Sequence, residues 1–356
     1  MQLIDLGWNS FFENNFKEYK NQGYSAMRIS RGNRNKLIAY NENGKYSCEI
    51  TGKFRFENDR KSKFPTVGDW VIVSLVPNEK KAKILAILPR KSLFSRKVTG
   101  VITEEQPVAA NIDIIFIITG LDLNYNLRRI ERYLSLAWES GAQPVLLLNK
   151  SDLCPEAEER KREVESIAAG VDVYTLNAYN QKDLDKLNKY IKKEQTLAFL
   201  GSSGVGKSTI INSLLGTDYL KTNEVNEFGS RGRHTTSFSE LIFLPNGGMV
   251  IDTPGMREIQ VWGEETAMKQ VFEDIDELSA NCRFKDCSHE KEPGCAVQEA
   301  ITNGSLEKKR FDNYLKLKNE FAYIQDRKTM KANAIEKSRW KDISKYTKKI
   351  KKGKLK

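Results

Sequence analysis

The chain has 356 residues, enough for two or three domains with their own cores. With 39% hydrophobic and 29% charged residues it reads as an ordinary globular protein, and no run of about 18 apolar residues marks a membrane-spanning helix. The net charge of +11 is concentrated at one end: residues 327–356 hold 13 Lys/Arg against two acids, and the rest of the chain is balanced. Such a block implies a phosphate-rich partner or a solubilising end. The opening Met1-Gln2-Leu3-Ile4-Asp5 has neither the basic nor the apolar region of a secretory signal, so a cytoplasmic protein without a membrane partner is expected.

In chain order, residues 1–30 begin with Trp8, Phe11, Phe12 and Phe16, and the Phe12/Phe16 spacing suits one face of a short helix. Short strands follow between polar turns, at 36–40, 46–50, 69–73 and 82–87. They predict a small barrel ending near residue 92, with an OB-fold as first choice and an SH3-like barrel giving much the same pattern. From 93 the pattern changes. The apolar run Ile112–Ile118, the helical recurrence of Ile130, Leu134 and Ala137, and the strands at 144–148, 197–200 and 249–251 predict a doubly wound α/β domain over 93–262. Residues 263–356 read as helical, with Val271, Ile275 and Leu278 on one face, then a cysteine cluster, a second helix carrying Phe311, Tyr314, Phe321 and Ile324, and the basic tail.

Three motifs in the α/β region carry nucleotide chemistry. Gly201-Ser202-Ser203-Gly204-Val205-Gly206-Lys207-Ser208, followed by Thr209, fits G-x4-G-K-[ST] between a strand and a helix. Its glycines let backbone N–H groups surround phosphates, Lys207 reaches the β- and γ-phosphates, and the Ser208 hydroxyl suits Mg²⁺. Asn149-Lys150-Ser151-Asp152 also ends a strand. One carboxylate, Asp152, accepts from both the ring N–H and the exocyclic amine of guanine, a pair that adenine does not offer. Asp252-Thr253-Pro254-Gly255 then supplies an acid for Mg²⁺ and an N–H at Gly255 for the γ-phosphate.

Between the phosphate loop and Asp252 lies Gly229-Ser230-Arg231-Gly232-Arg233-His234-Thr235-Thr236, suited to a switch loop whose threonine, Thr235 or Thr236, ligates Mg²⁺ with GTP bound. Met256 stands where Ras-like GTPases have the glutamine that orients the attacking water. A thioether cannot donate a hydrogen bond, which leaves His234, next to the switch threonines, as the candidate to position that water. Since Asn149 precedes Gly201, the order of motifs is circularly permuted, and the last of them, ending at Gly255, leads almost directly into the C-terminal domain.

Of five cysteines, Cys48 and Cys154 are isolated, whereas Cys282-x4-Cys287-x-His289-x5-Cys295 offers four ligands at short spacing. Four protein ligands close a tetrahedral Zn²⁺ site, so one structural zinc is expected.

The permuted motifs, together with Pro65-Thr66-Val67-Gly68-Asp69-Trp70-Val71 and Cys282-Arg283-Phe284-x-Asp286-Cys287-x-His289 running on to Glu292-Pro293-Gly294-Cys295-Ala296-Val297, resemble the RsgA (YjeQ) family of ribosome-dependent GTPases over about residues 31–325. The resemblance implies an OB-fold, a permuted GTPase domain and a zinc domain that together bind the small ribosomal subunit and its rRNA late in maturation. It also implies a monomer turning GTP into GDP and phosphate slowly alone and faster on the subunit, with the histidine of the Gly-Arg-His-Thr-Thr loop swung in by it. Asn177-Ala178 stands where the family has its guanine-supporting Ser-Ala pair.

Overall fold

The computed structural model describes residues 1–32, 37–58, 61–98, 104–220, 239–252, 265–290 and 292–329. Strands β1 (Ser25–Gly32), β2 (Leu37–Asn41), β3 (Gly44–Ile50), β4 (Trp70–Leu75) and β5 (Lys81–Ile87) pair in the order 1-2-3-5-4, and β4 returns to β1 to close a five-stranded barrel. β3 and β5 run parallel, with the short helix α2 (Gly52–Glu57) between β3 and β4, which gives the OB-type barrel. Met27, Ile29, Val71, Val73 and Ile84 fill its interior.

The aromatic lead is part of this barrel. Asn9 caps α1 (Ser10–Asn21) by accepting from Phe11 N at 3.1 Å, and Phe12 and Phe16 turn inward with Trp8 onto the outer face of β4. The ring centroids of Trp8 and Trp70 lie 4.6 Å apart, edge to face.

After a hairpin of β6 (Leu93–Val98) and β7 (Glu104–Ala110), the chain forms a second sheet region from β8 (Ile114–Gly120), β9 (Gln143–Asn149), β10 (Asp172–Leu176), β11 (Thr196–Leu200), β12 (Glu240–Phe243) and β13 (Met249–Asp252). The spatial order is β10-β9-β8-β11-β13-β12, parallel except for β12. Numbered from β11 and wrapping round, that order reads 2-3-1-4-5-6. The sheet is therefore an ordinary doubly wound one entered at its fourth strand, which is the circular permutation in structural form. Helices α3 (Leu127–Ser140), α4 (Ala157–Ile167), α5 (Gln181–Asp185) and α6 (Lys207–Leu215) flank it. All seven residues of β8 are buried, as expected of a central parallel strand covered on both faces.

The C-terminal region contains α7 (Glu265–Val271), α8 (Glu273–Ala280), α9 (Ala296–Thr302) and α10 (Lys308–Thr329). The apolar face expected at Val271, Ile275 and Leu278 is split between two helices, because the chain breaks at Phe272, which is fully buried.

Two polar junctions fix these parts together. Arg28 of β1 is 2% exposed and donates to Gly68 O at 3.3 Å, Asn111 O at 3.0 Å, Thr196 Oγ1 at 2.8 Å and Leu6 O, linking the lead and the barrel to β11. At the other end Glu131 of α3 is fully buried; it receives Arg310 Nη1 and Asn313 Nδ2 at 2.6 Å each, with Arg128 beside it. Arg310 also grips Asp274 with two bonds at 2.8 and 2.7 Å, and Arg132 pairs with Glu320 in the same forked manner.

Candidate nucleotide site and candidate metal centre

Parallel α/β sheets bind ligands beyond the carboxyl ends of their strands. Here the tetrapeptide starting at Asn149 ends β9, Asn177-Ala178 follows β10, the phosphate loop follows β11, and Asp252 ends β13, all at one edge of the sheet. Register puts Ile251 opposite Ala198, so Asp252 lies beside the strand that launches the phosphate loop.

Asn149 joins these loops. It is 2% exposed; its Nδ2 donates to Val205 O at 2.8 Å, and its Oδ1 accepts from Ala178 N at 3.0 Å. One buried amide thus ties the phosphate loop to the 177–178 loop. The contact requires glycine next door: Gly206 has φ +101°, and a Cβ there would come 2.1 Å from Asn149 Nδ2.

Val205 is fully buried and packs into the apolar cluster beneath the sheet with Phe199 and Ile210. Lys207 Nζ donates to Gly201 O at 2.8 Å and to Ser202 O, which holds the ammonium at the mouth of its own loop. Lys207, Ser208 and Thr209 form the first turn of α6, the end of the helix whose dipole favours an anion.

In the tetrapeptide, Lys150 adopts φ +64° and its Nζ pairs with Asp122 Oδ2 at 2.6 Å. Ser151 and Asp152 start a short 3-10 turn, and Asp152 is exposed, its carboxylate engaged by no hydrogen bond or ion pair among the described residues. An unengaged acceptor at this edge is what reading a ring N–H and an amine requires. Asn177 does local work: its N–H donates to Asp183 Oδ2 at 2.9 Å and its Oδ1 accepts from Tyr179 N at 2.9 Å. The turn built this way delivers Ala178 N to Asn149. Burial opposes ionisation of Asp183, yet Lys186 and the Asn177 N–H hold its carboxyl below the ordinary range.

His234, Thr235, Thr236 and Gly255 lie outside the described residues. Asp122 and Asp183 were not singled out in the sequence. The signal was position: Asp122 comes two residues after the apolar strand β8.

The second cluster is assembled by α8 and α9. Cys282 follows α8, Cys295 caps α9 and accepts from Gln298 N at 3.4 Å, and Cys287 and His289 come from the loop between. The ligand atoms of Cys282, Cys287, His289 and Cys295 all lie within 4.8 Å of one another. His289 Nδ1 is 3.5 Å from the sulfurs of Cys282 and of Cys295, which are 3.9 Å apart. Tetrahedral zinc, with bonds of about 2.3 Å to sulfur and 2.0–2.1 Å to nitrogen, would separate its ligands by about 3.5–3.8 Å.

The surroundings also select the right ring nitrogen. Ser279 Oγ donates to Ile275 O at 2.7 Å, so its lone pairs face His289 Nε2 at 3.2 Å and hold the proton there, leaving Nδ1 bare. Burial, and then the charge of Lys318, press the imidazole below its ordinary value, which favours the neutral form that a metal needs. The donor set and its spacing fit a metal ion.

A family model described as RsgA GTPase matches residues 87–262. The chain is 40% identical over 352 residues to the small ribosomal subunit biogenesis GTPase RsgA of Opitutus terrae, covering 96% of each chain. It is 41% identical over 346 residues to small ribosomal subunit biogenesis GTPase RsgA 1 of Listeria innocua, covering 97% of this chain and 96% of that one. Among solved structures, YjeQ from Thermotoga maritima superposes with a TM-score of 0.61 at 28% identity, over 84% of this chain and 99% of that one. YloQ, described as a circularly permuted GTPase, gives 0.56 at 25% identity, over 86% and 97%.

Proposed function

This chain belongs to the RsgA GTPase family, and on that premise we propose that it binds GTP at the edge joined by Asn149 and hydrolyses it to GDP and phosphate on the maturing small ribosomal subunit. The observation that carries this reading is the Asn149 bridge at 2.8 and 3.0 Å, because it makes one site of two motifs that lie more than fifty residues apart. Asp152, exposed beside it, reads guanine. Val205, Gly206, Lys207, Ser208 and Thr209 hold the phosphates with backbone N–H groups and one ammonium.

Mg²⁺ would be held by Ser208, Asp252 and one of Thr235 and Thr236, and supplies charge neutralisation at the β- and γ-oxygens. His234 orients the water. The Gly255 N–H senses the γ-phosphate, and the chain runs from there into α7.

The chain falls into three parts on this reading: residues 1–92 as barrel with its aromatic lid, 93–262 as GTPase, and 263–356 as metal-bound helical domain with the basic tail. One structural zinc occupies the cluster of Cys282, Cys287, His289 and Cys295. The tail and the barrel contact rRNA, the tail through phosphate charge. The protein works as a cytoplasmic monomer. Names of relatives that specify small-subunit biogenesis support the partner.

The test is sedimentation of the protein with purified small and large ribosomal subunits, in GDP and in a non-hydrolysable GTP analogue. Co-migration with small subunits in the analogue, and release in GDP, is expected. Equal binding to both subunits in both nucleotides would overturn the partner.

A further inference from the structure

The site described above leaves one charged contact without a role. Lys150 sits inside the guanine tetrapeptide in the left-handed region, at φ +64°, a conformation that residues other than glycine adopt only when held. Its ammonium meets a single carboxylate, Asp122 Oδ2, at 2.6 Å. Both side chains are about three-quarters withdrawn from water, with relative exposures of 22% and 25%.

Asp122 is itself fixed. Its other oxygen accepts from Asn124 N at 2.9 Å, its carbonyl accepts from Tyr125 N at 2.9 Å, and Leu121 N donates to Asn149 O at 2.8 Å. Burial works against the ionised carboxylate, but Lys150 and the Asn124 N–H outweigh it and keep the group charged. The loop after β8 is anchored further out, where Tyr125 OH donates to Glu163 Oε2 of α4 at 2.8 Å. Asp122 is thus a rigid post against which the tetrapeptide is braced.

We propose that Asp122 is a positioning residue for guanine recognition: by holding Lys150 it fixes the turn from which Asp152 projects. This rests on the reading that Asp152 contacts the base. Asp122 touches no nucleotide atom in this scheme and acts only through Lys150. A carboxylate that must accept two hydrogen bonds at once has little tolerance for a moving backbone, and with one wall of the turn removed the cost appears in binding rather than in the chemical step.

The experiment is a double-mutant cycle on the full chain, reading GTP and GDP affinity together with kcat at saturating GTP. Asp122→Ala and Lys150→Ala should each weaken GTP and GDP alike by about tenfold, the scale of one lost charge-assisted hydrogen bond, and the double variant should be no weaker than the worse single. For Asp122→Ala, KM should rise while kcat stays within about twofold. Asp122→Asn keeps the acceptor for Asn124 N but loses the charge toward Lys150, so it separates the ion pair from the fold of the loop and should fall between the wild type and alanine.

Single effects that multiply in the double variant, or an Asp122→Asn protein with wild-type affinity, would overturn the proposal. A parallel Asp152→Asn variant separates the two readings. If it binds GTP as the wild type does, the guanine assignment itself fails. If it binds poorly while the Asp122–Lys150 cycle is additive, only the positioning role fails.

Discussion

Replacing Asn149 with alanine perturbs the bridge on which the proposed site depends. The change deletes a donor at 2.8 Å from Val205 O and an acceptor at 3.0 Å from Ala178 N, and both partners belong to buried residues, at 0% and 3% exposure. Each bond contributes about 0.5–1.5 kcal/mol, and a buried group left without its partner costs about 1–3 kcal/mol. Water reaching the vacated space would recover part of that, so a loss of about 2–4 kcal/mol is reasonable. Carried fully into binding, it weakens GTP by about 30-fold to several hundred-fold, at 1.4 kcal/mol per decade. Asn149→Asp should be no better: it can still accept from Ala178 N but turns a carboxylate oxygen toward Val205 O. Titration calorimetry with GTP and GDP, with thermal unfolding of each variant as the folding control, measures this. A folded Asn149→Ala protein that binds GTP within about twofold of the wild type would refute the idea that this amide unites the site.

Metal analysis should find close to one zinc per chain, and Cys287→Ser should unfold the C-terminal helices while GTP binding survives; a well-folded protein free of metal would contradict the cluster's assignment. Arg310→Met strips the buried Glu131 carboxylate of a partner at 2.6 Å and should cost about 3 kcal/mol in urea unfolding, with Glu131→Gln in the same chain recovering part of it. No recovery would mean that the charge at Glu131 does not set the cost. Deleting residues 330–356, which leaves α10 whole, should weaken small-subunit binding and flatten its dependence on log salt, while an unchanged slope would favour a merely solubilising tail.

Much of the architecture was legible because its signals are local. A phosphate loop needs glycines at fixed spacing, and the zinc cluster needs four ligands within one short stretch, so both could be read before any fold was known. β1 was not legible. Its Ser25-Ala-Met-Arg-Ile-Ser-Arg-Gly puts an arginine where a buried strand should be apolar, and Arg28 is tolerated only because four oxygens from four separate parts of the chain converge on it. The helix break was not legible either: Val271, Ile275 and Leu278 continue one helical pattern, yet α7 ends and α8 begins at the buried Phe272. Asp122 and Asp183 escaped for a related reason. An acid shortly after a strand, like Asp122, or in the first turn of a helix, like Asp183 in α5, is common, and what distinguishes these two is the Lys150 ammonium and the Asn177 N–H brought to them by tertiary structure.

Single-turnover release of phosphate from GTP, with and without saturating small subunits, decides the claim that the small ribosomal subunit switches on this permuted GTPase. The wild type should be slow alone and strongly accelerated by the subunits, and His234→Ala should bind GTP normally yet lose most of the acceleration. Acceleration preserved in the mutant would remove His234 from the mechanism. A wild-type rate that small subunits do not change would contradict the claim itself.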